Sequence, residues 1–487
     1  MASSIPPNQA RFTRDELCAA TGGACSAFDG EVSGVFTDSR GSLAGGLFVA
    51  LRGERFDGHA FASTAVQNGA RVLLVEEDVG DVGGAALLRV PSTLDALGQL
   101  GAFHRRRWGR RIAAVAGSVG KTTTRTAVFS VASAAGRSAA CPPGNLNNRI
   151  GVPMVLLSLT HHQDLAVVEL GTSLPGEIER LTAIADPDVA VLTRIALEHS
   201  EGLGDLDAIE REEGALLRGL RRNATAVVNA DDERCLRQLG GCPATRQVGY
   251  GFAPGAKPSG PFYRILGQES LGGGGSRVRI ERPEAALLDV RSPLLGAPGA
   301  YALVAALAAV EAVLGRSLTG DEIESALASP ALGEPGRLTP VELPDGSLVL
   351  DDTYNSSPAS VRSSVGVARQ LADLRGGRLL LVLGEMRELG SLSAAAHRDV
   401  GRDLLGARPD GIVAFGGDAA LFLEEPAAQG LRVDFCADAP QALERVRATR
   451  APGDVILVKA SRSLRAERIV QGLSGGGAAR SGGGEPA

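Results

Sequence analysis

The 487-residue sequence has no run approaching the roughly 18 to 20 apolar residues that a membrane-spanning helix needs. It also lacks a basic N-terminal segment followed by an apolar one, so neither secretion nor membrane insertion is expected. Zinc spacing is missing too. Cys18, Cys25, Cys141, Cys235, Cys242 and Cys436 form no C-x-x-C pair and match no metal pattern with the six histidines. Reduced structural thiols in a cytoplasmic protein are the expectation. There is no positive surplus: 50 Lys and Arg against 56 Asp and Glu leave a net charge of −6, which excludes a general attraction to nucleic acid or anionic membrane. The one basic cluster, His104 to Arg111, contains the single tryptophan, Trp108. One aromatic is no stacking platform for bases, and the cluster reads as a solvated linker.

What remains is an ordinary globular composition, 44% hydrophobic and 22% charged. The chain is too long for one core, and its length suggests about three domains. The most informative stretch is Ala113-Ala114-Val115-Ala116-Gly117-Ser118-Val119-Gly120-Lys121-Thr122-Thr123-Thr124. The apolar run Ile112 to Ala116 predicts a buried strand, and Thr123 to Ala135 predicts a helix. A glycine loop between the two aims backbone N–H groups and the positive end of a helix dipole at one point, which suits a phosphate. Lys121 adds a point charge for the phosphates and Thr122 a hydroxyl for Mg²⁺. Val115 stands where the first glycine of the longer loop pattern would be, so this is a compact GxxGKT variant.

Residues 1–107 read as a small α/β domain with strands near Leu47–Gly53 and Arg71–Glu76. Residues 108–333 alternate apolar runs with helical stretches, predicting a parallel sheet covered on both faces. The strand Leu165–Val168 delivers Glu169 to the sheet edge where ligands gather, making it a candidate Mg²⁺ carboxylate. The strand Val189–Thr193 leads to Glu198-His199. The four consecutive glycines within 266–276 predict a mobile hairpin or loop. Residues 334–473 restart the α/β pattern, and 474–487 form a Gly-rich tail expected to be disordered.

Eight stretches carry a resemblance. They are Asp38-Ser39-Arg40, Leu47 to Gly58, Gly117 to Thr124, Asn145 to Pro153, Glu169-Leu170-Gly171 with Pro175 to Ile178, Asp351 to Pro358, Leu383 to Gly390, and Lys459 to Arg462. In this order they resemble the ATP-dependent Mur ligases of bacterial peptidoglycan synthesis, and the D-alanyl-D-alanine-adding branch in particular. The resemblance implies an α/β architecture of three domains: an N-terminal domain for the UDP end of the substrate, a central P-loop-type parallel-sheet ATPase domain, and a C-terminal Rossmann-like domain. It implies ATP and Mg²⁺ as cofactors, UDP-MurNAc-tripeptide and D-Ala-D-Ala as substrates, an acyl-phosphate intermediate, and a cytoplasmic monomer.

By the same resemblance Gly117, Ser118, Val119, Gly120, Lys121, Thr122 and Thr123 hold the phosphates, with Arg337 joining them when the C-terminal domain closes. Lys121, Glu169, His199 and Arg337 are the catalytic set. Asn229 and Asp352 face the adenosine with Tyr354 and Asn355 nearby. Asn147 and Asn148 approach the UDP-sugar, Ser39 and Arg40 lie on the uridine side, and Arg462 contacts substrate. Thr122, Glu169 and His199 ligate metal. Family members carry a carbamylated lysine fourteen residues after the histidine, and here that position is Glu213. Glu213 is either a built-in carboxylate substitute or a sign of weakened second-metal binding. Arg194 and Glu198 also depart from the family pattern around His199. Two other readings stay open: a Mur ligase adding another amino acid, against which the chain lacks Asp-Asn-Pro-Arg, and a nucleotide-binding homologue without turnover.

Overall fold

A computed structural model describes residues 5–53, 56–142, 144–252 and 260–475. The expected disordered tail lies, from residue 476, outside the described residues. The first unit contains β1 (Arg11–Thr13), β2 (Ala24–Cys25), β3 (Glu31–Ser33), β4 (Val35–Phe36), β5 (Leu47–Val49), β6 (Val72–Val75) and β7 (Ala86–Arg89). β1 and β3 pair as a small ribbon, and the others form a five-stranded sheet in the order β2-β7-β6-β5-β4. The helix Thr93–Trp108 then leads into the second unit.

That helix corrects the reading of the basic cluster as a linker. Its last turn is packed, with His104 and Arg105 buried. The Arg105 guanidinium donates to the carbonyls of Ala185 and Asp186 and to Asp188. The Trp108 indole N–H donates to the Thr160 carbonyl. Charge count alone cannot reveal this, because an arginine's stem buries well when its fork meets carbonyl oxygens. The helix packs on the helices Gly151–Leu157 and Glu177–Ala185, and Met154 and Leu157 complete the N-terminal core.

The second unit carries β8 (Arg111–Ala116), β9 (Ala139–Ala140), β10 (Leu165–Glu169), β11 (Val189–Leu192), β12 (Thr225–Asn229), β13 (Arg246–Gly251), β14 (Phe262–Ser270), β15 (Ser276–Glu281) and β16 (Leu288–Ser292). They form one nine-stranded sheet, β16-β15-β14-β13-β12-β11-β8-β10-β9. Along β8, Ala113 and Val115 enter the core on one face while Ile112, Ala114 and Ala116 enter that on the other. A strand covered on both sides shows no polar alternation, which is why it reads as an unbroken apolar run. The expectation of a parallel sheet holds from β9 to β14 and fails beyond, since β14-β15-β16 are antiparallel. No α-helix separates these three strands, so short turns reverse the chain. The glycines at 272–275 make the first of those turns, and Gly273 lies against Glu342 and Leu348 of the next unit.

Among the described residues one helix, Gly296–Leu314, is long and apolar enough to cross a membrane despite the expectation from the sequence, and 72% of its most apolar window is buried. It is a core helix, packed on the helix Lys121–Ala134 and on the sheet. Its one charge, Glu311, is buried but accepts from Tyr263, Arg282 and the Leu318 N–H, which satisfies both oxygens.

The third unit is a six-stranded sheet. Its strands are β17 (Thr339–Glu342), β18 (Leu348–Asp352), β19 (Leu379–Gly384), β20 (Gly411–Phe415), β21 (Val433–Cys436) and β22 (Val455–Lys459), ordered β17-β18-β22-β19-β20-β21. All neighbours are parallel except β17-β18. The C-terminal ends of β8, β10 and β11 face those of β18, β19 and β22 across a shared cleft, which collects the loops after each strand.

Candidate active site

The loop leaving β8 enters the helix Lys121–Ala134 through Gly120, whose φ of 90° is left-handed. Gly117 has φ of 121°, and a Cβ there would lie 2.3 Å from Thr193 Oγ1. Only glycine fits that conformation and that space. The loop is anchored from behind. The Ser118 N–H donates to the Arg194 carbonyl at 2.6 Å, and Ser118 Oγ accepts from the Ala196 N–H at 2.9 Å.

Lys121 is partly buried, and its ammonium donates to Glu198 at 2.9 Å. Burial pulls its pKa down, but the carboxylates of Glu198, Glu213 and Glu169 outweigh that and hold it above the ordinary lysine value. Thr122 Oγ1 accepts from the Arg337 guanidinium at 2.9 Å. That guanidinium lies 4.0 Å over the Tyr354 ring, and Arg462 approaches the same ring at 5.6 Å. Glu169, at the end of β10, accepts from Asn147 at 2.8 Å through one oxygen; its other oxygen is buried with no hydrogen-bond partner, 4.0 Å from Arg125. A buried, unpartnered carboxylate oxygen beside a phosphate loop fits a divalent cation.

His199 adopts a left-handed φ of 49°. Its Nδ1 pairs with Glu388, from the loop after β19, and its Nε2 lies 3.9 Å from Glu198. Burial lowers the His199 pKa, but Glu388 and Glu198 more than compensate and raise it.

A cavity of about 1080 Å³ brings together Ser118, Lys121, Thr122, Asn147, Asn148, Glu169, Glu198, His199, Arg337, Tyr354, Asn355 and Arg462. A second, of about 580 Å³, contains Val119, Asn229, Arg194 and Tyr301; a third, of about 120 Å³, contains Thr123, Asp352 and Lys459. Gly120 lines all three. Asn229 and Asp352, expected to face the same adenosine, therefore open on different cavities. Asp352 is also committed, accepting from Lys459 at 2.6 Å and Ser364 at 2.5 Å. Ser39 and Arg40 line none of the three cavities. Ser39 is buried and Arg40 pairs with Asp38 on the surface.

Glu213, expected at the second metal, is fully buried and lines none of these cavities. The helix Leu206–Arg218 turns it toward the back of the loop, where one oxygen accepts from the Gly117 N–H at 2.8 Å and the other has no partner. Desolvation raises its pKa from the usual 4.5 to about 7, against the pull of Lys121. A carboxyl shifted upward favours the folded state fully below pH 4.5, and that contribution is lost as pH climbs through 7. Glu213→Gln keeps an acceptor for Gly117 and cannot ionise. In magnesium-free buffer its Tm is expected to exceed the wild-type value by several degrees at pH 8.5 and to match it near pH 5. Superimposable Tm–pH curves would refute the assignment.

Sequence reading passed over two groups the structure makes central, Glu388 and Lys459, and marked Glu198 only as a departure from the family pattern. The runs Leu383–Gly390 and Lys459–Arg462 were visible as motifs, but a motif does not reveal which side chain it presents. The tightest cluster of potential metal ligands among the described residues, Asp57, His59 and Glu77, lies elsewhere. There His59 uses Nδ1 on Asp57 and accepts the Glu76 N–H through Nε2, so both ring nitrogens are occupied in holding β6.

Fold and site together define a three-unit phosphate-loop enzyme whose cleft is closed by a separate C-terminal sheet. The chain belongs to the Mur ligase family: residues 31–105 match its "Mur ligase family, catalytic domain", 115–310 the "Mur ligase middle domain" and 336–462 the "Mur ligase, glutamate ligase domain". It is 35% identical, over 96% of its length and 99% of the relative, to the UDP-N-acetylmuramoyl-tripeptide--D-alanyl-D-alanine ligase of Escherichia coli. The Bacillus subtilis enzyme of that name is 30% identical over 91% of this chain and 93% of its own. Among solved structures, MurF from Acinetobacter baumannii superposes with a TM-score of 0.84 at 31% identity, covering 96% of this chain and 99% of that one. MurF ligase from Thermotoga maritima in complex with ADP gives 0.76 at 27% identity, covering 90% and 96%.

Proposed function

We propose that this chain is an ATP-dependent ligase that joins D-alanyl-D-alanine to UDP-N-acetylmuramoyl-tripeptide in the cytoplasm, acting as a monomer. The observation that carries the reading is the convergence of Lys121, Thr122, Glu169, His199 and Arg337 on one cavity in a chain matching D-Ala-D-Ala-adding relatives from end to end.

In the reaction a terminal carboxylate oxygen of the tripeptide attacks the γ-phosphorus of ATP, forming an acyl phosphate and releasing ADP. The dipeptide amine then attacks the acyl carbon. The C–N bond forms, the C–O bond to phosphate breaks, and phosphate leaves as the amine loses a proton. Bringing a carboxylate to a triphosphate gathers negative charge, so the site needs cations and oriented donors. Lys121 and the loop N–H groups supply them from the central sheet, and Arg337, already on Thr122, supplies one from the C-terminal side. The Thr122 hydroxyl and the free oxygen of Glu169 would hold Mg²⁺, which would neutralise charge developing on the transferring phosphoryl group. Asn229 takes the adenosine side, while Asn147 and Asn148 lie toward the nucleotide sugar. Ser39 and Arg40 serve its uridine end from the N-terminal unit, and Arg462 lines the C-terminal wall.

The test is phosphate release from ATP by the purified chain. Release is expected to require both UDP-MurNAc-tripeptide and D-Ala-D-Ala, and to fall at least tenfold when single amino acids replace the dipeptide. Release indifferent to the dipeptide would overturn the reading.

A further inference from the structure

Resting on the reading of a ligase in which Arg337 meets the phosphates, we propose that Glu334 and Arg125 are positioning residues that clip the turn carrying Arg337 onto the helix leaving the phosphate loop. The segment that enters the C-terminal unit runs antiparallel along the helix Lys121–Ala134. The Ser130 hydroxyl donates to Ser329 Oγ at 3.5 Å, Arg125 lies 3.6 Å from Glu334, and Thr122 accepts from Arg337. Arg125 and Thr122 are three residues apart in the chain, so they share one helix face. Glu334 is the middle rung of this ladder.

Arg125 is a fixed anchor. It is 4% exposed, and one terminal N–H donates to the Gly144 carbonyl at 2.7 Å. Its other terminal nitrogen is the one nearest Glu334, while Glu169 stands farther off at 4.0 Å. Opposite charges at such separations attract strongly where little water screens them. Burial raises the Glu334 pKa, and the cations opposing that rise are Arg125 and Arg337. The turn itself is stiff. The Glu334 carbonyl accepts from the Arg337 N–H at 3.3 Å and from the Thr339 hydroxyl at 3.0 Å, and the Gly336 carbonyl accepts from the Tyr354 N–H at 3.1 Å. Gly336 and Leu338, on either side of Arg337, have left-handed φ of 77° and 52°. A leucine is strained there and persists because Asp352 holds its N–H. The tip of Arg337 is freer, with Nε buried and without a hydrogen-bond partner. A fixed base with an uncommitted tip lets the guanidinium leave Thr122 for a phosphate oxygen while the turn stays still, and the ion pair on Arg125 sets where that base stands.

The test compares Glu334→Gln with wild type in the full-length protein. Hydrogen–deuterium exchange without ligands is expected to quicken by about fivefold or more at the Arg337 and Tyr354 amides and to stay unchanged in the helix Pro358–Arg375. In dipeptide-dependent phosphate release kcat is expected to fall about tenfold, with KM for D-Ala-D-Ala unchanged. Made on top of Arg337→Ala, the same substitution should cost less than about twofold because the group it positions is gone, whereas a merely structural loss would cost the same in both backgrounds. Arg125→Lys, which keeps the charge, should retain most of the activity that Arg125→Met loses. If the glutamine variant unfolds in thermal melts, Glu334→Asp carries both measurements. Unchanged exchange at Arg337, an unchanged kcat, or equal losses in the two backgrounds overturns the proposal. The exchange measurement needs no substrate: faster exchange in a chain that makes no muropeptide product would sink the ligase reading and leave the clip standing.

Discussion

Lys121→Ala is expected to lower kcat for dipeptide-dependent phosphate release by about 10³-fold or more, the scale of removing a principal cation from a phosphoryl-transfer site. The ammonium faces Glu198, Glu213 and Glu169. Without it Glu198 and Glu169 face the point where a triphosphate must bind, with Glu213 behind the loop, so nucleotide affinity should fall together with turnover. Coupling makes the claim sharper. Removing Glu198 as well takes away one of those repelling charges, and the double variant should bind nucleotide better than Lys121→Ala alone, a non-additivity readable in a double-mutant cycle. Calorimetry with ADP and single-turnover kinetics check both statements. A Lys121→Ala protein retaining a tenth of wild-type turnover would exclude the assigned role.

Lys459→Ala is expected to destabilise the C-terminal unit by about 3–5 kcal/mol, the range for breaking a buried ion pair from one side. Lys459 is 2% exposed, and its ammonium donates to Asp352 at 2.6 Å and to the Asn355 carbonyl at 2.9 Å. Burial lowers its pKa while Asp352 opposes the shift. The pair joins the ends of β22 and β18 and holds the segment that carries Tyr354, on which Arg337 stacks. Deleting the ammonium leaves Asp352 buried with only Ser364 and the Leu338 N–H as donors. Replacing both partners, Lys459→Met with Asp352→Asn, should recover more than half of the loss, because no charge is then stranded. Urea unfolding followed through the C-terminal unit measures it. A loss under 1 kcal/mol would show the pair to be dispensable.

The relation between the two variants illustrates what could be read in advance. The lysine of the phosphate loop was legible because its role depends on a contiguous strand, glycine turn and helix start. Glu169 was legible for the same reason, as the last residue of a buried strand. Lys459 was not, because its partner lies 107 residues away. The basic run at His104–Arg111 misled for a related reason. Its Arg105 looks solvated until the carbonyls of Ala185 and Asp186, eighty residues on, are folded against it.

Glu213 and Glu198 show the same limit within one site. Counting from His199 finds a carboxylate at the expected position, yet the facing direction of a helical side chain depends on how the helix is docked. Here docking sends Glu213 behind the loop and leaves Glu198, which counting would dismiss, beside Lys121.

The amino-acid order by itself determined the phosphate loop, the run of α/β units, the family and thus the class of chemistry, since each depends on residues within a turn or two of one another. The tertiary structure alone decided which carboxylates face the phosphates, which cations are already paired, and how the C-terminal unit reaches His199 through Glu388. Such contacts join segments far apart in the chain, and their strength depends on burial and distance, which arise only when the sheets are packed.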